Sequence, residues 1–101
     1  MNPPDNDPGY RLTLVDDVPS AIRRLAKEAA SVGKRQAYLD ALQTIEARLA
    51  TNPLQFGECR YRLLMGQLSC QIGAIKRVAV QFAVHEERRE VFVLKVFLLG
   101  S

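Results

Sequence analysis

The sequence predicts an α+β domain in which a helical hairpin packs on one face of an antiparallel sheet, in the order β-α-α-β-β-β. Three observations predict this class. Apolar and polar residues alternate in a short run near the N-terminus, apolar residues then recur every three or four positions up to about residue 51, and alternation returns from about residue 59. Two helices have enough surface to cover only one face of such a sheet.

The size and composition are those of one globular domain. The chain has 101 residues, of which 48% are hydrophobic and 25% are charged. No apolar run approaches the roughly 20 residues of a membrane helix, and the N-terminus has no apolar signal segment, so we expect a cytoplasmic protein. Residues 1–8 hold three of the five prolines and are predicted to be a disordered tail, which leaves 9–101 as a single domain.

Each element of the first half has a recognisable period or stop signal. Period-two alternation predicts a strand near 10–15. The period then becomes helical, which predicts a helix near 20–32 that Gly33 ends. A second helical pattern predicts a helix near 34–51, which the "TNP" at 51–53 ends. Because so little chain separates the two helices, we expect them to be antiparallel neighbours.

The second half predicts an antiparallel meander. Strands are expected near 68–73, 77–85 and 90–98, with the run at 59–65 counted as a short extra strand. The connections between them are short, as in hairpins. The residues expected to face the helices are Tyr61, Leu63, Met65, Leu68, Cys70, Ile72, Val78, Val80, Phe82, Val84, Phe92, Leu94, Val96 and Leu98.

The last predicted strand is apolar on both faces, which indicates a candidate binding surface. If alternate residues of this strand face the helices, then Val91, Val93 and Phe97 face away from them, on a sheet face that nothing covers. The alternative is a central strand partly covered by loops. Pairing Val84 with Phe92 also sets Gln81 opposite Lys95. The candidate partner-binding residues are Arg60, Arg62, Ser69, Gln71, Gln81, Val93, Lys95 and Phe97.

Positive charge is concentrated in the folded body. Residues 1–19 carry a net charge of −3, and residues 20–57 and 58–101 carry +3 each, so the chain carries +3 overall. This distribution suits an anionic partner such as nucleic acid or an acidic protein segment, although a solvated surface with a mild basic bias is the alternative. Two cysteines without a Cys-x-x-Cys motif and a single histidine, His85, predict neither a metal site nor a cofactor.

Four phrases of the sequence resemble the RelE/ParE superfamily of toxins from type II toxin–antitoxin systems. They are "ALQTIEARLATNP", "FGE", "RVAVQFAV" and "EVFVLKV", and the resemblance covers about residues 9–99. It implies the same α+β fold and a cognate antitoxin that lies across the open sheet face. It also implies a cellular target, which is the ribosome and its mRNA in the RelE-like branch and DNA gyrase in the ParE-like branch.

The resemblance carries over little of the nuclease chemistry of the RelE-like branch, which uses no metal. Arg77 matches the catalytic arginine of the middle strand, but the basic positions of the preceding strand fall at Ser69 and Gln71. A further family arginine falls near Leu99, and the terminal tyrosine has no counterpart before Ser101. The resemblance therefore favours a ParE-like gyrase poison or an inactive relative over a ribosome-dependent mRNA endoribonuclease. The alternative is a non-catalytic nucleic-acid-binding or protein-interaction module.

Overall fold

The helices and strands follow one another in the predicted order. The computed structural model describes residues 9–63 and 68–99, so the predicted tail at 1–8 lies outside the described residues. The elements are β1 (Arg11–Leu14), α1 (Val18–Ser31), α2 (Arg35–Thr51), α3 (Pro53–Phe56), β2 (Glu58–Leu63), β3 (Leu68–Ile75), β4 (Val78–His85) and β5 (Glu90–Leu98). The predicted α+β class is confirmed, and the one-turn helix α3 is an addition that the sequence did not predict.

The strands form one five-stranded sheet in the order β1-β5-β4-β3-β2. The strands from β2 to β5 form the predicted antiparallel meander. The first strand joins the sheet beside the last one and runs parallel to it, with the Arg11 amide donating to the Arg89 carbonyl at 2.9 Å and the Val15 amide donating to the Val93 carbonyl at 3.1 Å. The sheet is therefore mixed, and the first and last strands lie side by side.

The two long helices form a hairpin that Gly33 and Tyr38 stabilise. Gly33 follows α1 with φ +73°, a conformation in which a side chain would be strained, and the amide of Lys34 donates back to the Ala29 carbonyl at 2.8 Å. The Tyr38 hydroxyl on α2 donates to the Ile22 carbonyl of α1 at 3.0 Å. No helix within the described residues is long and apolar enough to cross a membrane.

The hydrophobic core lies between this hairpin and one face of the sheet. Helix α1 packs against β5, and α2 packs against β3 and β4. Because successive side chains of a strand point to opposite faces, β4 contributes alternate residues to the core, and so do the two halves of β5. The buried members are Val18, Leu25, Ala29, Tyr38, Ala41, Ile45, Leu49, Val78, Val80, Phe82, Val84, Val91, Val93 and Val96.

Helix α3 approaches the sheet closely because two positions lack a side chain. A Cβ atom at Gly73 would lie 2.6 Å from the Phe56 ring, and one at Gly57 would lie 2.7 Å from the Phe82 ring. The rings of Phe56 and Phe82 stack with their centroids 6.0 Å apart. The Arg48 guanidinium lies 5.3 Å from the centroid of the Phe56 ring and covers this end of the core.

Candidate partner-binding face

A β-bulge in β5 determines which of its residues reach the open face of the sheet. The pairs Ala79–Phe97 and Gln81–Lys95 form as predicted. The register then shifts, so that Phe82 pairs with Val93 and Leu94 is left without a partner in β4. An extra residue in one strand reverses the alternation beyond it. The side chain of Leu94 is 42% exposed, which is consistent with its position in the bulge.

The bulge overturns the predicted orientation of the first half of β5. Val93 was expected on the open face, but it belongs to the core beneath the helices and is 3% exposed. Phe92 was expected in the core, but it pairs with Ala83 on the open face and is half-buried. The predicted pairing of Val84 with Phe92 is also wrong, since Val84 pairs with Val91.

The predicted faces of β3 are reversed as well. Ser69 and Gln71 were expected on the open face, but they pair with the core residues Val84 and Phe82 and are therefore on the helix side. Both are buried, and the Gln71 amide nitrogen donates to the Ser69 hydroxyl at 3.1 Å. This bond satisfies the amide nitrogen of Gln71, whereas its buried Oε1 atom has no hydrogen-bond partner among the described residues.

The open face is consequently apolar and shallow. Small residues occupy its centre, where Cys70, Ala79 and Ala83 are buried although no helix covers them. Phe92 and Phe97 lie directly opposite the two alanines on β5, and such large cross-strand neighbours shield small side chains from solvent. The half-buried residues of this face on β3, β4 and β5 are Leu68, Ile72, Gln81, His85, Phe92 and Phe97.

One cation lies among these aromatic residues. Lys95 is exposed between Phe92 and Phe97 on β5, and its Nζ atom lies 5.6 Å from the centroid of the Phe97 ring. Gln81 is its partner on β4. The predicted placement of Gln81, Lys95 and Phe97 is therefore confirmed, and Phe92 is the residue that the sequence missed because the bulge has no local signal.

Arg77 lies at the rim of the open face rather than on a strand. It occupies the turn between β3 and β4, where it is exposed, and its carbonyl accepts a hydrogen bond from the Leu99 amide at 2.7 Å. Within the part of the chain that the structure describes, its guanidinium makes no ion pair. For Arg60 and Arg62 only the backbone of β2 is described, so their proposed contact with a partner stays a prediction.

Ion pairs occupy the opposite end of the sheet. The Glu90 carboxylate accepts from Arg11 at 2.6 Å and lies 3.5 Å from the Arg88 guanidinium. The Nδ1 atom of His85, the last residue of β4, accepts a hydrogen bond from the Arg88 amide in the following turn at 3.3 Å. Among residues 9–63 and 68–99, no three His, Cys, Asp or Glu side chains come together as metal ligands.

The described geometry suits recognition better than acid–base chemistry. Among the described side chains of β3, β4 and β5 at the centre of the open face, Lys95 is the only charged one, while the exposed Glu58 of β2 lies opposite Ile72 and Arg77 and His85 lie at the two ends of β4. Among the side chains that the structure describes, no general acid and base converge on one point of this face, whereas apolar area, a cation and a polar amide do. Comparison with known proteins found no matching family model, curated protein or solved structure.

Proposed function

We propose that this protein is a RelE/ParE-like toxin, or a degenerate relative of one, and that a cognate antitoxin binds across the open face of its sheet. The observation that carries the proposal is the pair of half-buried aromatic side chains, Phe92 and Phe97, on either side of the exposed Lys95. A sheet face with this composition and without a covering layer is typical of an interaction surface.

The chemistry of the face defines the antitoxin segment that would fit it. Leu or Phe side chains would cover the two aromatic rings, and Asp or Glu would pair with Lys95 and with Arg77 at the rim. Phe97 is already half-buried in the free protein, so burial of the rest of its side chain contributes about 1–1.5 kcal/mol to such a complex. A proline-poor segment that carries apolar and acidic residues is therefore the expected partner.

The orientation of β3 favours a gyrase poison or an inactive relative over an mRNA nuclease. Ser69 and Gln71, which stand where the nucleases have basic residues, lie under the helices. Cys70 and Ile72 occupy the open face of the same strand and carry no charge. Of the positions that carry the nuclease chemistry in the family, Arg77 is the one that keeps a basic residue here, and one arginine does not supply the proton transfers that RNA cleavage requires.

Inducible expression in a bacterial host, with growth, mRNA integrity and DNA supercoiling followed together, tests the proposed toxin. A gyrase poison would stop growth and relax or break DNA while mRNA stays intact, and an inactive relative would leave growth unchanged. Arg77→Ala should remove any toxicity that depends on phosphate contact. Metal-independent cleavage of mRNA at translating ribosomes would contradict the preference for the gyrase branch.

Binding to the product of an adjacent, small acidic reading frame tests the antitoxin surface. Phe97→Ser should weaken this binding by about tenfold or more, because about 1.4 kcal/mol of buried contact corresponds to a factor of ten. The control is Leu94→Ser, which removes an apolar side chain from the bulge of the same strand, where Leu94 is 42% exposed. Equal affinity of the two variants, or unfolding of Phe97→Ser, would contradict a binding role for the open face.

A further inference from the structure

A cleft of about 650 Å³ opens on the helix side of the sheet, between α2 and β1. One end is closed where the Tyr10 amide donates to the Ala50 carbonyl at 2.8 Å. The wall on the strand side is formed by Leu12 and Leu14, and Leu14 is 44% exposed. Apolar residues form most of the rest, namely Ile22, Leu39, Leu42, Ile45, Leu49, Val80, Val93 and Val96. A cleft of this size accommodates several apolar side chains of a partner.

The rim of the cleft on α2 is polar and acidic. Its residues are Gln36, Asp40, Gln43 and Glu46, which recur at helical spacing along one side of α2 and are all exposed. None of the described residues that line the cleft is a lysine or arginine, although the chain carries a net charge of +3. At this rim, the Gln36 amide nitrogen donates a hydrogen bond to the Asp40 carboxylate at 2.9 Å. The cleft is thus an acidic site on a basic protein.

The strand that borders the cleft also has a free edge. β1 pairs only with β5, to which the amides of Arg11 and Val15 donate. Because amides alternate in direction along a strand, those of Leu12 and Leu14 point away from β5. Within the described residues, the same two residues therefore offer unpaired amides at the sheet edge and apolar side chains in the cleft. An incoming strand would meet both features at once.

We propose that an extended, cationic segment of a partner protein adds to the free edge of β1 and inserts alternate apolar side chains into the cleft. Main-chain hydrogen bonds to Leu12 and Leu14 would hold the segment, and Lys or Arg on it would pair with Asp40 and Glu46. Residues 1–8 of the chain itself do not match, since they carry Asp5 and Asp7 and no cation. This proposal is independent of the toxin hypothesis, because it concerns the other side of the sheet.

A labelled peptide with the sequence Lys-Ile-Thr-Leu-Lys-Val-Thr-Ile-Lys is a suitable probe, with fluorescence anisotropy as the measurement. The double variant Asp40→Lys/Glu46→Lys should weaken its binding by about tenfold or more, since two attractive pairs become repulsive. The matched control, Glu86→Lys/Glu87→Lys, makes the same change of charge in the exposed β4–β5 turn and should bind as the unchanged protein does. Equal loss of affinity in both variants would overturn the proposal, because it would show a response to net charge alone.

Two changes in the peptide test the same site on the unchanged protein. Replacing its lysines by glutamates should abolish binding, and N-methylation of alternate amides should do the same if the peptide adds as a strand. NMR shifts should concentrate on the amides of Leu12 and Leu14. Shifts centred on Phe92 and Phe97, or persistent binding of the methylated peptide, would overturn the proposal. A dimer that is seen by sedimentation and that Asp40→Lys/Glu46→Lys disrupts would also overturn the proposal. A second copy of this chain, rather than a partner protein, would then occupy the cleft.

Discussion

At the scale of single residues, Tyr38 shows how one polar group joins two elements. Its side chain lies in the core, 3% exposed, yet its hydroxyl reaches the Ile22 carbonyl of α1 at 3.0 Å. Burial raises the pKa of the Tyr38 phenol above its ordinary value, while Arg24 lowers it and Glu28 raises it to a smaller extent. The neutral phenol is therefore the form that the fold requires.

Tyr38→Phe should lower the free energy of unfolding by about 1 kcal/mol, because the Ile22 carbonyl loses its donor. The raised pKa also predicts a pH effect. The folded state holds the phenolic proton more tightly than the unfolded state, so this stabilisation is complete below about pH 10 and is lost as the pH rises above it. Urea unfolding at about pH 8 and about pH 11 measures both effects.

Tyr10→Phe is the matched control for this experiment, since the Tyr10 hydroxyl makes no hydrogen bond within the described residues. Tyr38→Phe has no phenol to titrate at this position, so it should lose less free energy of unfolding at alkaline pH than the unchanged protein does. An equal loss in both proteins would show that other groups cause it.

At the scale of elements, the bulge at Leu94 reconciles two halves of β5 that would otherwise conflict. Before it, Val91 and Val93 face the helices, and after it Val96 does so. Strict alternation from Val93 would place Lys95 in the core and Val96 on the open face. One extra residue therefore keeps the cation in solvent and the valine in the core, at the cost of an exposed leucine.

Deletion of Leu94 should be tolerated, with a change in the free energy of unfolding of less than about 1 kcal/mol, because Phe82–Val93 and Gln81–Lys95 would become consecutive pairs of a regular ladder. Deletion of Val96 is the control. It removes a core residue and reverses the faces of Phe97 and Leu98, so it should cost more than about 3 kcal/mol. Similar losses in both deletions, measured by urea unfolding, would show that the bulge itself is required.

At the scale of the whole molecule, the packing of one helical layer on one sheet leaves a covered sheet face, an open sheet face and two sheet edges, which differ in their exposure to solvent. The helices cover one face of the sheet, the other face is open, and β1 and β2 form its edges. β4 has a neighbour on both sides, and Phe82 and Val84 are fully buried in it. Stability is therefore expected to decrease from the centre of the sheet towards β1.

Hydrogen–deuterium exchange followed by NMR should be slowest in β4 and faster in β1. Within β1, the amides of Arg11 and Val15 should exchange more slowly than those of Leu12 and Leu14, since only the former two donate to β5. Equal protection of all four amides would show that another group already pairs with the edge of β1.

Much of the fold could be predicted because it depends on local periodicity. The order of elements, the helical hairpin and the core residues Val78, Val80, Phe82 and Val84 of β4 all follow from the spacing of apolar residues. In the candidate site, the same pattern correctly placed Gln81 opposite Lys95 and Ala79 opposite Phe97. These pairs lie on the C-terminal side of the bulge in β5, where the predicted and observed registers agree.

The sequence by itself determined which segments are helices and which are strands, since amphipathic periods of 3.6 and 2.0 are properties of a segment alone. Tertiary structure alone decided that Ser69 and Gln71 face the helices, that Phe92 replaces Val93 on the open face, and that β1 lies beside β5. For β5 the reason is that a strand with apolar residues on both faces has two nearly equivalent orientations. The choice between them depends on its neighbours in the sheet and on what the helices cover.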